Sequence, residues 1–224
     1  MKTALSMQQV SKIFTTGGIQ VKALTNISLE IQEGAFWVVA GPSGSGKTTL
    51  LNLIGGLDEV TSGEIQVDGM KLSGMTERGL ALYRRHHVGF IFQGNNLIPT
   101  LTAFENIEIP LILTGEPERK AKVHDILGEI GLQGKAHRFP QFLSAGEQQR
   151  VAVARAVVHA PRLVLADEPT ANLDLKTGTN ILSLLQHLNQ KLKRTVLFST
   201  HDQRIIDTAE NVLRLRDGRL NRDG

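Results

Sequence analysis

A chain of 224 residues can form one sizeable domain with a well-buried core. Its 25 Lys and Arg against 22 Asp and Glu leave a net charge of +3, too even a balance to point to nucleic acid. Cysteine is absent, which excludes a disulfide scaffold and thiolate metal or redox sites; no long apolar run and no signal-peptide-like start is present, so a soluble, cytoplasmic domain that does not itself span a membrane is expected.

The first sixty or so residues read as short apolar strands separated by turn signals. Ile27, Leu29 and Ile31 alternate with polar residues, Glu33 and Gly34 make a turn, and FWVVA (36–40) reads as a buried strand. A short strand from Glu64 ends in a turn at Asp68 and Gly69, and VGFIF (88–92) forms a further buried strand ending at Gln93. Helical spacing then dominates 94–158. Thr102 and Glu105 form a capping box for a helix closed by Pro110, a second helix runs from Glu118 to Ile130 and stops at Gly131, and a third starts in FLSAGEQQR and continues to His159. Strands return at LVLA (163–166) and VLFST (196–200) with a helix over 176–193 between them, and VLRLRDGRL closes the chain as a hairpin turning at Asp217 and Gly218. The expected fold is an α/β core interrupted by a mostly helical insert.

Three strand ends carry chemistry. GPSGSGKTT (41–49) follows a buried strand and opens a helix, the context in which G-x-x-x-x-G-K-[ST] wraps backbone N–H groups around phosphates. Gly41, Gly44 and Gly46 permit the close approach, with Ser43, Ser45 and Thr49 in the same loop. Lys47 is expected on the β- and γ-phosphates, and the Thr48 hydroxyl on Mg²⁺. At LVLADEP the apolar strand delivers Asp167 and Glu168 to the carboxyl edge of the sheet, Asp167 placed to hold Mg²⁺ and Glu168 to act as general base on a water. At the third end His201 is placed to meet a γ-phosphate and hold the attacking water. Gln93 has the same placement, with an amide that can sense both metal and water. Alone, a His at position 201 is more often a helix cap or exposed residue, and Gln93 an ordinary polar strand end; their company favours function.

FLSAGEQQR (142–150) presents Ser144 and Glu147 as a capping box with Gly146 inside the first turn. The free N–H groups and positive end of that helix make an anion site. Ala145 fits only at negative φ, and Glu147 is expected to fold back onto the Ser144 N–H, away from a phosphate.

GPSGSGKTT, Gln93, LSAGEQQR, LVLADEP, ANLD (171–174) and His201 occur in the order and spacing of ABC transporter ATPase subunits, which the chain resembles over essentially its whole length. HVGFIFQ, NLIPTLTAFENIEIPL and ADEPTANLD look most like the subgroup serving lipoprotein release and macrolide export, with the cell-division ATPase also close. The resemblance implies an α/β P-loop NTPase (RecA-like) core with an N-terminal antiparallel β subdomain and an inserted α-helical subdomain. It implies a single domain over 1–224, with 1–93 and 159–224 as core and 94–158 as the helical part carrying the signature. It also implies ATP and Mg²⁺ as ligands, and a head-to-tail pair with a second copy in which Ser144 and Gly146 contact the γ-phosphate of the other chain's ATP and Asp174 links the two sites. Phe14 matches the adenine-stacking aromatic of the family, although an apolar strand residue of the core is the other reading. The family's usual LSGGQ here reads LSAGE.

An integral membrane permease is the further partner the resemblance implies, placing the chain on the inner face of the cell membrane, with no nucleic-acid partner. Asn95, Asn96, Leu97, Ile98, Pro99 and Leu101 follow Gln93 directly and form either the docking surface for that subunit or the core of the insert. Transport driven by ATP hydrolysis is the leading expectation, and signalling through a membrane partner, as in the cell-division relative, is the alternative.

Overall fold

The structure, a computed structural model, describes residues 2–221. In chain order it runs β1 (Thr3–Thr16), β2 (Ile19–Gln32), β3 (Phe36–Ala40), α1 (Lys47–Ile54), β4 (Ser62–Val67), β5 (Met70–Lys71), α2 (Glu77–His87), β6 (Val88–Ile91), α3 (Ala103–Thr114), α4 (Arg119–Glu129), α5 (Ala145–Val157), β7 (Leu163–Asp167), α6 (Leu175–Leu192), β8 (Thr195–Thr200), α7 (Gln203–Asp207), β9 (Val212–Arg216) and β10 (Arg219–Asn221), with short 3₁₀ turns at Gln133–Lys135 and Pro140–Phe142. Two sheets result. One is antiparallel in the order β2-β1-β4-β5; the other has the order β10-β9-β3-β8-β7-β6 and is parallel except for the β9–β10 hairpin.

Continuous apolar strands such as LVLA suit a sheet covered on both faces, and alternation assigns each residue its side. Leu163, Leu165 and Leu197 pack with α1, α2 and the antiparallel sheet. Val164, Ala166, Val196 and Phe198 point the other way, into a cluster shared with α3, α4, α5 and α6. The helical insert therefore buries its apolar face in the same cluster as the parallel sheet. Among the described residues no helix is long and apolar enough to cross a membrane.

The structure departs from the sequence reading in three places. The opening strands are not short: β1 and β2 are 14 residues each. Register shifts along their pairing, with Gln9 and Asn26 at positive φ, break the period-2 pattern and disguise two long strands as several short ones. Pro110 does not close its helix; α3 continues to Thr114 because Ile107 and Leu111 on either side of the proline are fully buried, and the Thr114 hydroxyl donates to the Pro110 carbonyl at 2.9 Å. Helix α2, capped by Thr76 accepting from the Gly79 N–H, was not anticipated. The capping box of Thr102 and Glu105, the stop at Gly131 with φ 66°, and the turn at Asp217 and Gly218, both at positive φ, are as expected.

Candidate nucleotide-binding site

Register alone brings the three strand ends level. Ala40 of β3 lies opposite Thr200 of β8, and Asp167 of β7 lies opposite Ser199 of β8. The residues that follow emerge side by side at the carboxyl edge of the parallel sheet, where open α/β sheets bind ligands.

From β3 the chain enters GPSGSGKTT and then α1. Gly46, at φ 105°, has no steric alternative, since a Cβ there would sit 2.7 Å from the Ala23 carbonyl. Lys47 is almost fully buried, and its ammonium donates to the carbonyls of Gly41 at 2.8 Å and Pro42 at 3.0 Å. A third contact, 3.1 Å, runs to Oε1 of Glu168. The other oxygen of Glu168 is 3.1 Å from Nδ1 of His201. Glu168 occupies the left-handed region, φ 45°, a conformation that costs about 1–2 kcal/mol for a residue with a Cβ. Its N–H is held by Oγ of Ser199 at 2.9 Å, and the same hydroxyl donates to Oδ1 of Asp167 at 2.7 Å. Oδ2 of Asp167 accepts from the Thr48 hydroxyl at 2.8 Å.

The Thr48–Asp167 pair presents hard oxygen donors beside the phosphate loop. Mg²⁺ is bound by one or two carboxylates or hydroxyls together with the phosphates of its nucleotide and with water, and this donor set fits it. Among the described residues no group of three His, Cys, Asp or Glu forms a cage that would hold a metal unaided.

A cavity of about 510 Å³ opens along the loop. Ser43, Gly44, Gly46, Lys47, Thr48 and Thr49 of the loop and helix start line it, together with Gln93, Glu168 and His201 and with Val21, Lys22 and Ala23 of β2. Lys47 and its partner Glu168 thus share one chamber with Gln93, whose backbone carbonyl accepts from the Asn172 amide at 3.2 Å. Phe14, outside the lining, pairs across β1 and β2 with Val21, which belongs to it. It is 41% exposed, so it is not a core residue, and the Lys12 ammonium lies 4.8 Å from its ring centroid.

Ser144, Gly146 and Asp174 lie outside the cavity. The capping box forms: the Glu147 N–H bonds to Ser144 Oγ, and Oε2 of Glu147 accepts from the Ser144 N–H at 3.0 Å. Lys135 pairs with the other oxygen, and these two contacts hold the Glu147 carboxyl below the usual carboxylate range. Ala145 is helical, without the strain that positive φ would bring. Gly146 is buried, and a Cβ there would meet Cγ2 of Thr177 at 2.6 Å; the missing side chain thus serves the packing of α5 on α6 within the chain. Asp174 caps α6, accepting from the Thr177 N–H at 3.1 Å and the Thr177 hydroxyl at 2.6 Å, and these bonds lower its pKa.

The loop after Gln93 divides. Leu97 packs against the cluster beneath the insert, whereas Ile98 is 40% exposed. The fully buried Asn106 fixes the turn, accepting from the Ile98 N–H at 2.8 Å and donating to the carbonyls of Ile98, Leu101 and Thr102. Arg155 donates to the carbonyls of Asn95 and Asn96. A groove of about 480 Å³ beside this loop is lined by the apolar Phe90, Phe92, Pro110 and Leu113 and by three arginines, Arg84, Arg85 and Arg155.

Sequence reasoning missed Ser199, Thr177 and Lys135. Of these only Ser199 had a signal available, as a hydroxyl two residues before His201 at the end of VLFST.

Residues 24–171 match the ABC transporter family. An uncharacterized ABC transporter ATP-binding protein of Thermotoga maritima is 44% identical over 222 residues, 98% of this chain and 94% of the relative. The macrolide export ATP-binding/permease protein MacB of Hyphomonas neptunium is 41% identical over 218 residues, 96% of this chain but 34% of the longer relative. Among solved structures, the dimeric post-hydrolysis state of the ATP-binding cassette MJ0796, bound to ADP and Pi, superimposes with a TM-score of 0.89 at 41% identity, covering 98% of this chain and 97% of that one; MJ0796 is a protein of Methanocaldococcus jannaschii.

Proposed function

The chain belongs to the ABC transporter family, and from that footing we propose that it is an ATP-hydrolysing subunit which drives a separate membrane-embedded permease, in the manner of an exporter. The observation that carries the reading is the placement of Lys47, Glu168 and His201 around one chamber on the phosphate loop, with Asp167 bonded to Thr48 of its lining.

Lys47 is already buried and desolvated, so its charge acts at full strength on a phosphate chain laid along the loop. Thr48 and Asp167 would hold Mg²⁺, with the Gln93 amide on the lining of the same chamber, and the bound ion would supply neutralisation of phosphate charge. Glu168 takes the proton of the attacking water as general base. His201, hydrogen-bonded to Glu168, orients that carboxylate and faces the γ-phosphate end. Ser199 fixes both acidic residues through one hydroxyl.

Pairing with a second copy completes the site: the first turn of α5, with Ser144 and the N–H groups of Ala145 and Gly146, faces the phosphates held by the other chain. The dimeric cassette at 41% identity supports this, as does the position of Ser144 and Gly146 outside their own chain's cavity. Phe14 supplies an aromatic face for the base. Export is favoured over signalling by the likeness to MacB, a macrolide export ATP-binding/permease protein. The groove with its three arginines supports a permease segment bearing an acidic side chain as its occupant, next to the exposed Ile98. This arrangement would hold the chain at the cytoplasmic face of the membrane, with residues 94–158 as the part that meets the permease.

Titration with a fluorescent ATP analogue tests the reading. Lys47→Ala should lose nucleotide affinity by about tenfold or more at a temperature where its melt shows it folded, the lost contacts of the buried ammonium costing about 1–3 kcal/mol; unchanged binding would remove the phosphate loop from the proposal.

A further inference from the structure

A β-strand sets residues two apart on the same face, and in β1 that places Lys12 beside Phe14. The Lys12 ammonium lies over one face of the Phe14 ring, 4.8 Å from its centroid. That ammonium is held in place. It donates to Oδ1 of Asp58 at 2.6 Å and to the Glu59 carbonyl at 2.8 Å, and the lysine side chain is only 12% exposed. A solvated lysine would keep its rotamer freedom and visit the ring only part of the time; this one has already lost that freedom.

Asp58 and Glu59 belong to the loop that follows α1, the helix opened by Lys47 and Thr48 of the phosphate loop. The same loop grips β1 twice more. The Thr61 N–H donates to the Ser11 carbonyl at 2.9 Å, and the Ile13 N–H donates to the Thr61 hydroxyl at 3.0 Å. The strand that carries Phe14 is therefore tied to the far end of the helix that begins at the phosphates.

The charge also acts on the ring itself. A cation over an aromatic face draws π density toward it and leaves the opposite face poorer in electrons. Phe14 is half-exposed, and its cross-strand partner Val21 lines the nucleotide chamber. A purine is electron-rich and stacks through its own π face, so a ring backed by an ammonium is a better platform for it than a bare one. We infer that Lys12 is a positioning residue for the nucleotide base: it covers one face of Phe14, anchors the ring to the loop after α1, and leaves the other face to the purine. This role rests on Phe14 as the base platform and adds the residue that holds and polarises it.

Steady-state hydrolysis followed as ADP release tests it, with inorganic tripolyphosphate as a competitive inhibitor that has phosphates but no base. Phe14→Ala should raise KM for ATP about tenfold and leave inhibition by tripolyphosphate unchanged. Lys12→Met keeps a stem over the ring and removes the charge and both bonds. Its KM should rise about threefold or more, with kcat changed less than about twofold and tripolyphosphate inhibition unchanged. Asp58→Asn, which loosens the anchor only, should give a smaller rise of the same kind and carries the test if Lys12→Met does not fold. In a Phe14→Ala background Lys12→Met should add less than about twofold, since the ring it acts through is gone. A parental KM in both Lys12→Met and Asp58→Asn, a KM rise matched by weaker tripolyphosphate inhibition, or a full further loss in the double variant overturns the role of Lys12 and leaves Phe14 as the platform. A parental KM in Phe14→Ala overturns both.

Discussion

Glu168 bridges Lys47 and His201: one carboxylate oxygen lies 3.1 Å from the Lys47 ammonium and the other 3.1 Å from Nδ1 of His201. It does so from a left-handed backbone conformation, φ 45°, pinned by Ser199. A phosphate chain laid in the loop would draw Lys47 away from Glu168. The carboxylate would then be free to accept a proton, with His201 still holding its second oxygen. The strain at Glu168 keeps the carboxylate aimed into the chamber whether or not Lys47 contacts it.

Ser199 should behave as a positioning residue. Its one hydroxyl serves both Asp167 and Glu168, so Ser199→Ala releases both at once. We expect kcat to fall about tenfold with KM for ATP changed less than about threefold, and the fold to lose about 1–3 kcal/mol. Steady-state kinetics beside thermal melts decide it: a lowered melting point with unchanged kcat would make Ser199 merely structural.

Gly146 and Thr177 form a testable pair. Gly146→Ala places a methyl group where Cγ2 of Thr177 already stands, 2.6 Å away, and should cost about 1–3 kcal/mol. Thr177→Ser removes that Cγ2 and keeps the hydroxyl that Asp174 accepts, so the double variant should recover most of the loss. Additive destabilisation in a double-mutant cycle would refute the packing role.

Much of the site was legible because it is written locally. A buried strand, a glycine-rich loop and a helix start occur within GPSGSGKTT, and LVLADEP and VLFST each end in their chemistry. What stayed hidden depends on register between distant strands. Ser199 meets Asp167 because β7 and β8 align, at a separation of 32 residues, and Thr177 meets Gly146 only through the packing of α6 on α5. Likewise Pro110 reads as a helix end until the burial of Ile107 and Leu111 is known, and bulges conceal the length of β1 and β2. The capping box at Ser144 was legible for what it does locally, whereas the role of Gly146 in helix packing was not.

Acid should destabilise the chain through His159. Burial beside the groove lowers its imidazole from 6.5 to about 4, with a smaller contribution from His86. Between those values the unfolded chain takes up a proton that the folded chain refuses. The stabilisation is therefore complete above about pH 6.5 and is lost as pH falls towards 4, amounting to about 3 kcal/mol. His159→Gln should flatten denaturant-derived stability over that window; an unchanged slope would assign the acid sensitivity elsewhere.

The loop after Gln93 separates docking from packing. Ile98→Asp should leave basal hydrolysis within about twofold and reduce stimulation by a reconstituted permease about tenfold. Leu97→Asp, which sends a charge into the cluster beneath the insert, should lower stability by about 3 kcal/mol or more. Normal stimulation of Ile98→Asp would move the docking surface away from this loop.

The central claim is that Glu168 acts as the base of an ATPase whose binding machinery is separate from it. Parallel measurement of ATP affinity and steady-state hydrolysis in Glu168→Gln tests it most directly. The account predicts affinity within about threefold of the parent and hydrolysis reduced at least about a hundredfold. Hydrolysis retained within tenfold of the parent would contradict it.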